Sequence, residues 1–126
     1  MTTSVVISGT GLWTPSHKIT NEELVEAYNG YAEKFNADNR TDIEIGELTA
    51  KPLSSAEFIE KASGIRSRYT YVKDGILDIT RMRPNIPKRA DDELSDQAEM
   101  AIHAAKKALS AANKTAADID AVIVSC

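Results

Sequence analysis

The chain has 126 residues, 42% of them apolar and 27% charged, and its 15 basic and 19 acidic side chains leave a net charge of −4. That composition supplies a core, excludes intrinsic disorder and argues against nucleic acid as a partner. No run approaches the roughly 18 to 20 apolar residues of a membrane span, and the start MTTSVVISGTG lacks the basic beginning and long apolar stretch of a secretory leader, so a cytoplasmic protein is expected. A single cysteine, Cys126, and two distant histidines, His17 and His103, provide neither a disulfide framework nor metal-ligand spacing; no metal or cofactor is expected.

Residues 4–9, SVVISG, read as a short β-branched strand ended by Gly9 and Gly11. A loop through Pro15 follows, with Trp13 as a packing anchor and His17 solvated. Thr20 then has the signature of a helix cap: Glu23 is placed to reach back as the third helical residue and Ile19 to pack on Leu24, with the helix running to between Asn29 and Phe35. Residues 36–52 are polar and without period, which predicts a long surface excursion.

The cap signature returns at Ser54, with Glu57 as its box partner and Leu53 facing Phe58. A helix over 55–62 is expected, ended by Gly64. Residues 65–72, IRSRYTYV, alternate as an amphipathic strand, on which Arg66 and Arg68 suit ion-pair or surface roles. The loop 73–92 contains Pro84 and Pro87 and carries Arg81, Arg83, Lys88 and Arg89 with no acid among residues 79–90.

A long helix is predicted over 93–112, capped by Asp92 and acidic in its first turns. Its alanines at 98, 101, 104, 105, 108, 111 and 112 invite close approach and burial, with His103 at its boundary. Thr115 and Asp118 frame one further turn. The closing AVIVSC reads as a strand buried on both faces, as in a parallel sheet covered by helices, which implies further chain to cover it. Gly9-Thr10-Gly11 does not open a dinucleotide site, because Thr14 stands where a third glycine is needed and Pro15 follows.

Three segments, VVISGTGLWTPSHKITNEEL, EFIEKASGIRSRYT and SDQAEMAIHAAKKALSAANKTAADIDAVIVSC, together resemble the beginning of the 3-oxoacyl-[acyl-carrier-protein] synthase III family of thiolase-like condensing enzymes. The resemblance spans about 4–35, 54–73 and 93–126, and the connections 36–53 and 74–92 look like insertions. It implies an α/β fold, thiolase-like and five-layered in the order α-β-α-β-α, of which residues 1–126 form an incomplete first portion of the N-terminal half. It further implies a homodimer, no cofactor, and decarboxylative Claisen condensation of an acyl primer from acyl-CoA with malonyl-ACP. The family's nucleophilic cysteine and its His and Asn partners would lie in the remainder of the enzyme. Cys126 ends a β-branched strand with no helix N-terminus or cation beside it, and so reads as a structural cysteine.

By the same resemblance, Phe58 falls where a tryptophan stacks on the adenine of coenzyme A, and Ser54 and Ser63 fall at positions lining the tunnel mouth. These three are the candidate substrate-binding residues, although Ser54 and Phe58 are also accounted for as cap and packing residue. Ala62 occupies a position where the family commonly has an arginine, which points to a longer acyl primer or one delivered on acyl carrier protein. Arg81, Arg83, Lys88 and Arg89 are candidates for docking acidic acyl carrier protein, a solvated loop being the plainer reading. Two alternatives remain: another acyl-CoA condensing enzyme of the superfamily, such as a hydroxymethylglutaryl-CoA or head-to-head hydrocarbon synthase, or a non-catalytic binding or assembly module.

Overall fold

A computed structural model describes residues 4–125; Cys126 lies outside the described residues, and with it the reading of its thiol. The chain divides into two compact units, one of residues 15–88 and one formed by residues 4–14 with 89–125.

The 15–88 unit is built around helix α1, Asn21–Asp38. The expected capping box is present: Glu23 N–H donates to Thr20 Oγ1 at 3.2 Å and Thr20 N–H to the Glu23 carboxylate at 2.9 Å. The helix extends three residues past its predicted limit, then yields to a short helix α2, Arg40–Glu44, so the predicted excursion begins with helical structure. Helix α3 is Ala56–Ser63, closed by Gly64 at φ 72°, a left-handed conformation in which glycine carries no Cβ penalty.

Two strands, β1 (His17–Thr20) and β2 (Ser67–Thr70), form an antiparallel pair, His17 opposite Thr70 and Thr20 opposite Ser67. β2 falls within the predicted strand, whereas β1 occupies what reads as loop. The pair brings together two of the segments that carry the resemblance. Asn21 is buried at their junction, where its Nδ2 donates to Ile65 O at 2.6 Å, its backbone N–H to Arg66 O at 3.2 Å, and its Oδ1 accepts from Arg68 at 3.3 Å. Ile19, and Ala27 and Ala32 further along α1, are also buried. Arg66 pairs with Glu60 at 2.6 Å on the surface, one of the roles expected for it.

In the other unit, helix α4 is Asp96–Ala111, capped by Ser95, whose hydroxyl accepts from Ala98 N–H at 3.2 Å. Asp92 is not the cap. Glu93 turns back instead, its carboxylate accepting from Ala90 N–H at 2.7 Å, and Arg89 ties the turn to the helix through Asp96 (2.5 Å) and Glu99 (3.0 Å). The alanine face does admit a close neighbour. A Cβ on Gly9 would stand 2.5 Å from Ala108 O, and one on Gly11 would run into Ala104 O. Trp13 stacks on His103, 5.2 Å between ring centres, as a packing anchor. Thr115 and Asp118 frame a 3-10 turn, Ala116–Asp118, as the sequence suggests.

Three expectations fail here. Residues 4–9 and 121–125 form no strand, and α4 is not buried. β-branched runs become strands only when a neighbour supplies the ladder, and neither run has one, so Val5 and Ile123 stand 92% and 96% exposed. The observed sheet is an antiparallel pair rather than a covered parallel sheet; the fold seen is mixed α/β. Among the described residues no helix is long and apolar enough to cross a membrane, and no group of side chains has the makings of a metal site.

Candidate functional site

Asn29 and Asn36 lie seven residues apart on α1, two turns and about 10.5 Å along one face. Three residues of extended chain cover about 10 Å. The match allows one stretch of chain to be held at two points. Asn29 accepts from Ser54 N–H at 2.9 Å and donates to Ser54 O at 3.0 Å; Asn36 does the same to Lys51, at 2.8 and 2.9 Å. Between them Tyr28 Oη donates to Pro52 O at 3.0 Å, and the Lys51 ammonium sits 4.5 Å above the Phe35 ring. Residues 51–54 therefore run along α1, with the backbone groups of Lys51 and Ser54 and the carbonyl of Pro52 bonded by helix side chains.

This clamp explains the start of α3. The sequence puts the cap at Ser54, but Ser54 has both backbone groups committed to Asn29. Ser55 takes the cap, its hydroxyl accepting from Phe58 N–H at 3.1 Å. An apolar groove of about 750 Å³ lies between α1, this segment and the start of α3. Leu24, Val25 and Tyr28 of α1 form one wall, residues 52–55 and Phe58 and Ile59 another, and Met82 a third.

Of the candidate substrate-binding residues, Ser54 and Phe58 line this groove, and Phe58 is 66% exposed with its ring available to a ligand. Ser63 does not line it. Its hydroxyl donates to Ile59 O at 2.6 Å and accepts from Ile65 N–H at 3.1 Å, finishing the last turn of α3. Sequence reading missed Tyr28 and Met82. Tyr28 was legible in the Leu24–Tyr28 spacing on one helix face; nothing local announces Met82, which arrives from the basic loop.

That loop is ordered by its own hydrogen bonds. Asp78 Oδ1 accepts from Thr80 Oγ1 at 2.7 Å and Thr80 N–H at 2.8 Å, and these bonds hold its carboxyl below the usual carboxylate range. Its carbonyl accepts from Arg81 N–H at 3.0 Å and Met82 N–H at 2.7 Å. Arg81 and Arg83 flank a small polar hollow beside Asp78 and are exposed, as is Lys88. Arg89 belongs to the other unit, where its charge is engaged by Asp96 and Glu99.

Lys73 pairs with Glu23 at 2.6 Å and donates to Lys18 O at 3.0 Å. The Lys73 hydrogen bond, followed by the one from Thr20 N–H, lowers the Glu23 carboxyl from its ordinary value near 4.5.

No family model matches the chain. It is similar to the beta-ketodecanoyl-[acyl-carrier-protein] synthase of Pseudomonas aeruginosa, 49% identical over 102 residues that make up 81% of this chain and 29% of that protein. The chain thus spans less than a third of the relative's length. The likeness over the matched residues agrees with the resemblance of its capped helix, its GIR segment and its alanine-rich helix to the 3-oxoacyl-[acyl-carrier-protein] synthase III family.

Proposed function

We propose that this chain forms part of a condensing enzyme of fatty acid synthesis and contributes the entry side of its thioester-binding site. The observation that carries the reading is the apolar groove in which Ser54 and Phe58 meet, two of the three residues that the family resemblance assigns to substrate binding. The 49% identity to an acyl-carrier-protein synthase favours this over a different superfamily member or a binding module.

In the reaction, a cysteine thiolate attacks the primer thioester and expels coenzyme A as its thiolate, which takes up a proton from solvent. Loss of carbon dioxide from malonyl-ACP gives a carbanion that attacks the acyl-cysteine, forming the new C–C bond and returning the thiolate. The cysteine and its His and Asn partners come from the rest of the enzyme, as the resemblance implies. The part of this chain is to bind and orient. Leu24, Val25 and Ile59 exclude water along the thioester arm, while Phe58 offers a ring face for stacking.

The substrate reading is a medium-length acyl chain. Condensation adds two carbons, so a ten-carbon 3-oxoacyl product, of the kind in the relative's name, needs an eight-carbon primer. Ala62, exposed near the end of α3, brings no cation for the phosphates of coenzyme A. Acyl carrier protein is the natural partner, with the exposed Arg81, Arg83 and Lys88 as docking cations; Arg89 is left out because Asp96 and Glu99 engage it. A five-layered homodimeric fold working in the cytoplasm completes the reading.

The test is condensation by the intact protein that carries this chain, given octanoyl-CoA and malonyl-ACP. Mass spectrometry is expected to show 3-oxodecanoyl-ACP, with Phe58→Ala raising KM for the primer more than it lowers kcat. Absence of product from any primer of two to twelve carbons overturns the proposal.

A further inference from the structure

We infer that Arg81 and Arg83 form a phosphate subsite beside the groove and hold the phosphate ester of the thioester-carrying arm, the group that coenzyme A and acyl carrier protein have in common. The inference rests on the reading of the groove as the entry side of a thioester-binding site. It goes beyond that reading in giving the two arginines a small anionic group to bind rather than a protein surface.

The groove and a polar hollow share one turn of the chain. Met82 lines the groove, while Asp78, Thr80, Arg81 and Arg83 line the hollow. Consecutive Cα atoms are about 3.8 Å apart, so both arginines leave the backbone one residue from the groove wall, and an arm that passes Met82 arrives at the hollow. The turn that carries them is braced. Asp78 O accepts from Arg81 N–H at 3.0 Å and from Met82 N–H at 2.7 Å, and the base of the loop is closed by Asn85, whose N–H donates to Asp74 O at 2.8 Å and whose side chain donates to the Asp74 carboxylate at 3.0 Å. Arg83 N–H donates to Gly75 O at 3.3 Å. Gly75, at φ 81°, is the bed for both arginines: a Cβ there would stand 3.0 Å from Cδ and Nε of Arg81 and 2.7 Å from Arg83 O. The bare glycine lets the Arg81 stem lie close to the Arg83 backbone.

Two guanidinium groups line the hollow against one carboxylate, and one oxygen of that carboxylate is taken up by Thr80 N–H and Thr80 Oγ1, at 2.8 and 2.7 Å. Among the described residues of the 15–88 unit the ion pairs join other side chains. The donor forks of Arg81 and Arg83 are therefore left for a ligand, and a planar fork of N–H groups matches the oxygens of a phosphate. The groove is apolar and the hollow polar and cationic, so an arm that lies along the first and ends in a phosphate fits the two surfaces together.

The experiment measures binding of octanoyl-phosphopantetheine and of octanoyl-pantetheine, which lacks the phosphate, to the intact protein that carries this chain, for the wild type, Arg81→Gln, Arg83→Gln and the double variant. A charge-assisted hydrogen bond at an exposed site is worth about tenfold in affinity. The wild type is expected to prefer the phosphorylated arm by about a hundredfold, each single variant to lose about tenfold of that preference, and the double variant to bind both arms alike. Arg81→Lys, which keeps the charge without the fork, should restore part of the loss, and added salt should shrink the preference. Octanoyl-CoA and octanoyl-ACP, run beside them, show which carrier uses the subsite. If the wild type binds both arms equally, or if the variants weaken octanoyl-ACP alone and leave octanoyl-phosphopantetheine at the wild-type affinity, the inference fails and the groove reading stands. If the wild type binds neither arm and Phe58→Ala changes nothing, the groove reading fails and takes the inference with it.

Discussion

Replacing Asn29 with alanine removes both hydrogen bonds that hold Ser54 to α1, at 2.9 and 3.0 Å. Each such bond is worth about 1 kcal/mol net, for a loss of about 2 kcal/mol. Alanine returns about 0.5 kcal/mol through its better helix propensity, so the expected cost is about 1.5 kcal/mol. Asn36→Ala removes the matching pair at Lys51 and should cost the same. The two clamps hold one short segment, so losing either lets part of it move, and the double variant should cost less than the sum. Urea unfolding gives these energies, and amide hydrogen exchange locates them. Ser54 N–H should lose protection first in Asn29→Ala, and Lys51 N–H first in Asn36→Ala. Because the segment is a wall of the groove, both variants should also weaken octanoyl-CoA binding. Unchanged stability together with unchanged protection at both amides would refute the clamp.

Other perturbations have equally definite outcomes. Gly64→Ala meets no atom within 4 Å, so its cost is that of a left-handed backbone alone, about 1 kcal/mol, read by urea denaturation. Gly11→Ala forces a Cβ into Ala104 O and Ala108 N, a backbone clash that should cost at least about 2 kcal/mol. Trp13, the sole tryptophan, reports it: separation from His103 should shift its emission to the red. The folded Glu23 carboxyl is lowered, so its contribution is complete above the ordinary value near 4.5 and is lost as pH falls through the lower folded value. Glu23→Gln should therefore be less stable than wild type at neutral pH, and the gap should close as the pH is taken well below 4.5.

What was legible in the sequence was local. The Thr20–Glu23 box and Gly64 involve partners within three or four residues, and both are found where the pattern put them. Choices between neighbouring caps were decided by bonds that the pattern does not show, one of them at longer range. Ser54 lost the cap to Ser55 because Asn29, 25 residues away, holds its backbone. Asp92 lost to Ser95 where Glu93 folds back on Ala90. The apolar ends read as strands on propensity, yet propensity supplies no ladder. Of the three candidates, Ser54 and Phe58 line the groove, while Ser63, equally polar in sequence, is spent on the end of its helix. Met82 was invisible because it reaches the groove through the Asp78 turn.

The central claim is that the groove bounded by α1, residues 52–59 and Met82 receives the acyl thioester. Hydrogen exchange combined with side-chain footprinting on the intact protein, with and without octanoyl-CoA, tests it most directly. Protection is predicted at Leu24 to Tyr28, at residues 52–59 and at Met82, with Phe58 the most strongly shielded side chain. Protection that appears elsewhere and leaves Phe58 and Met82 as reactive as in the free protein would contradict it.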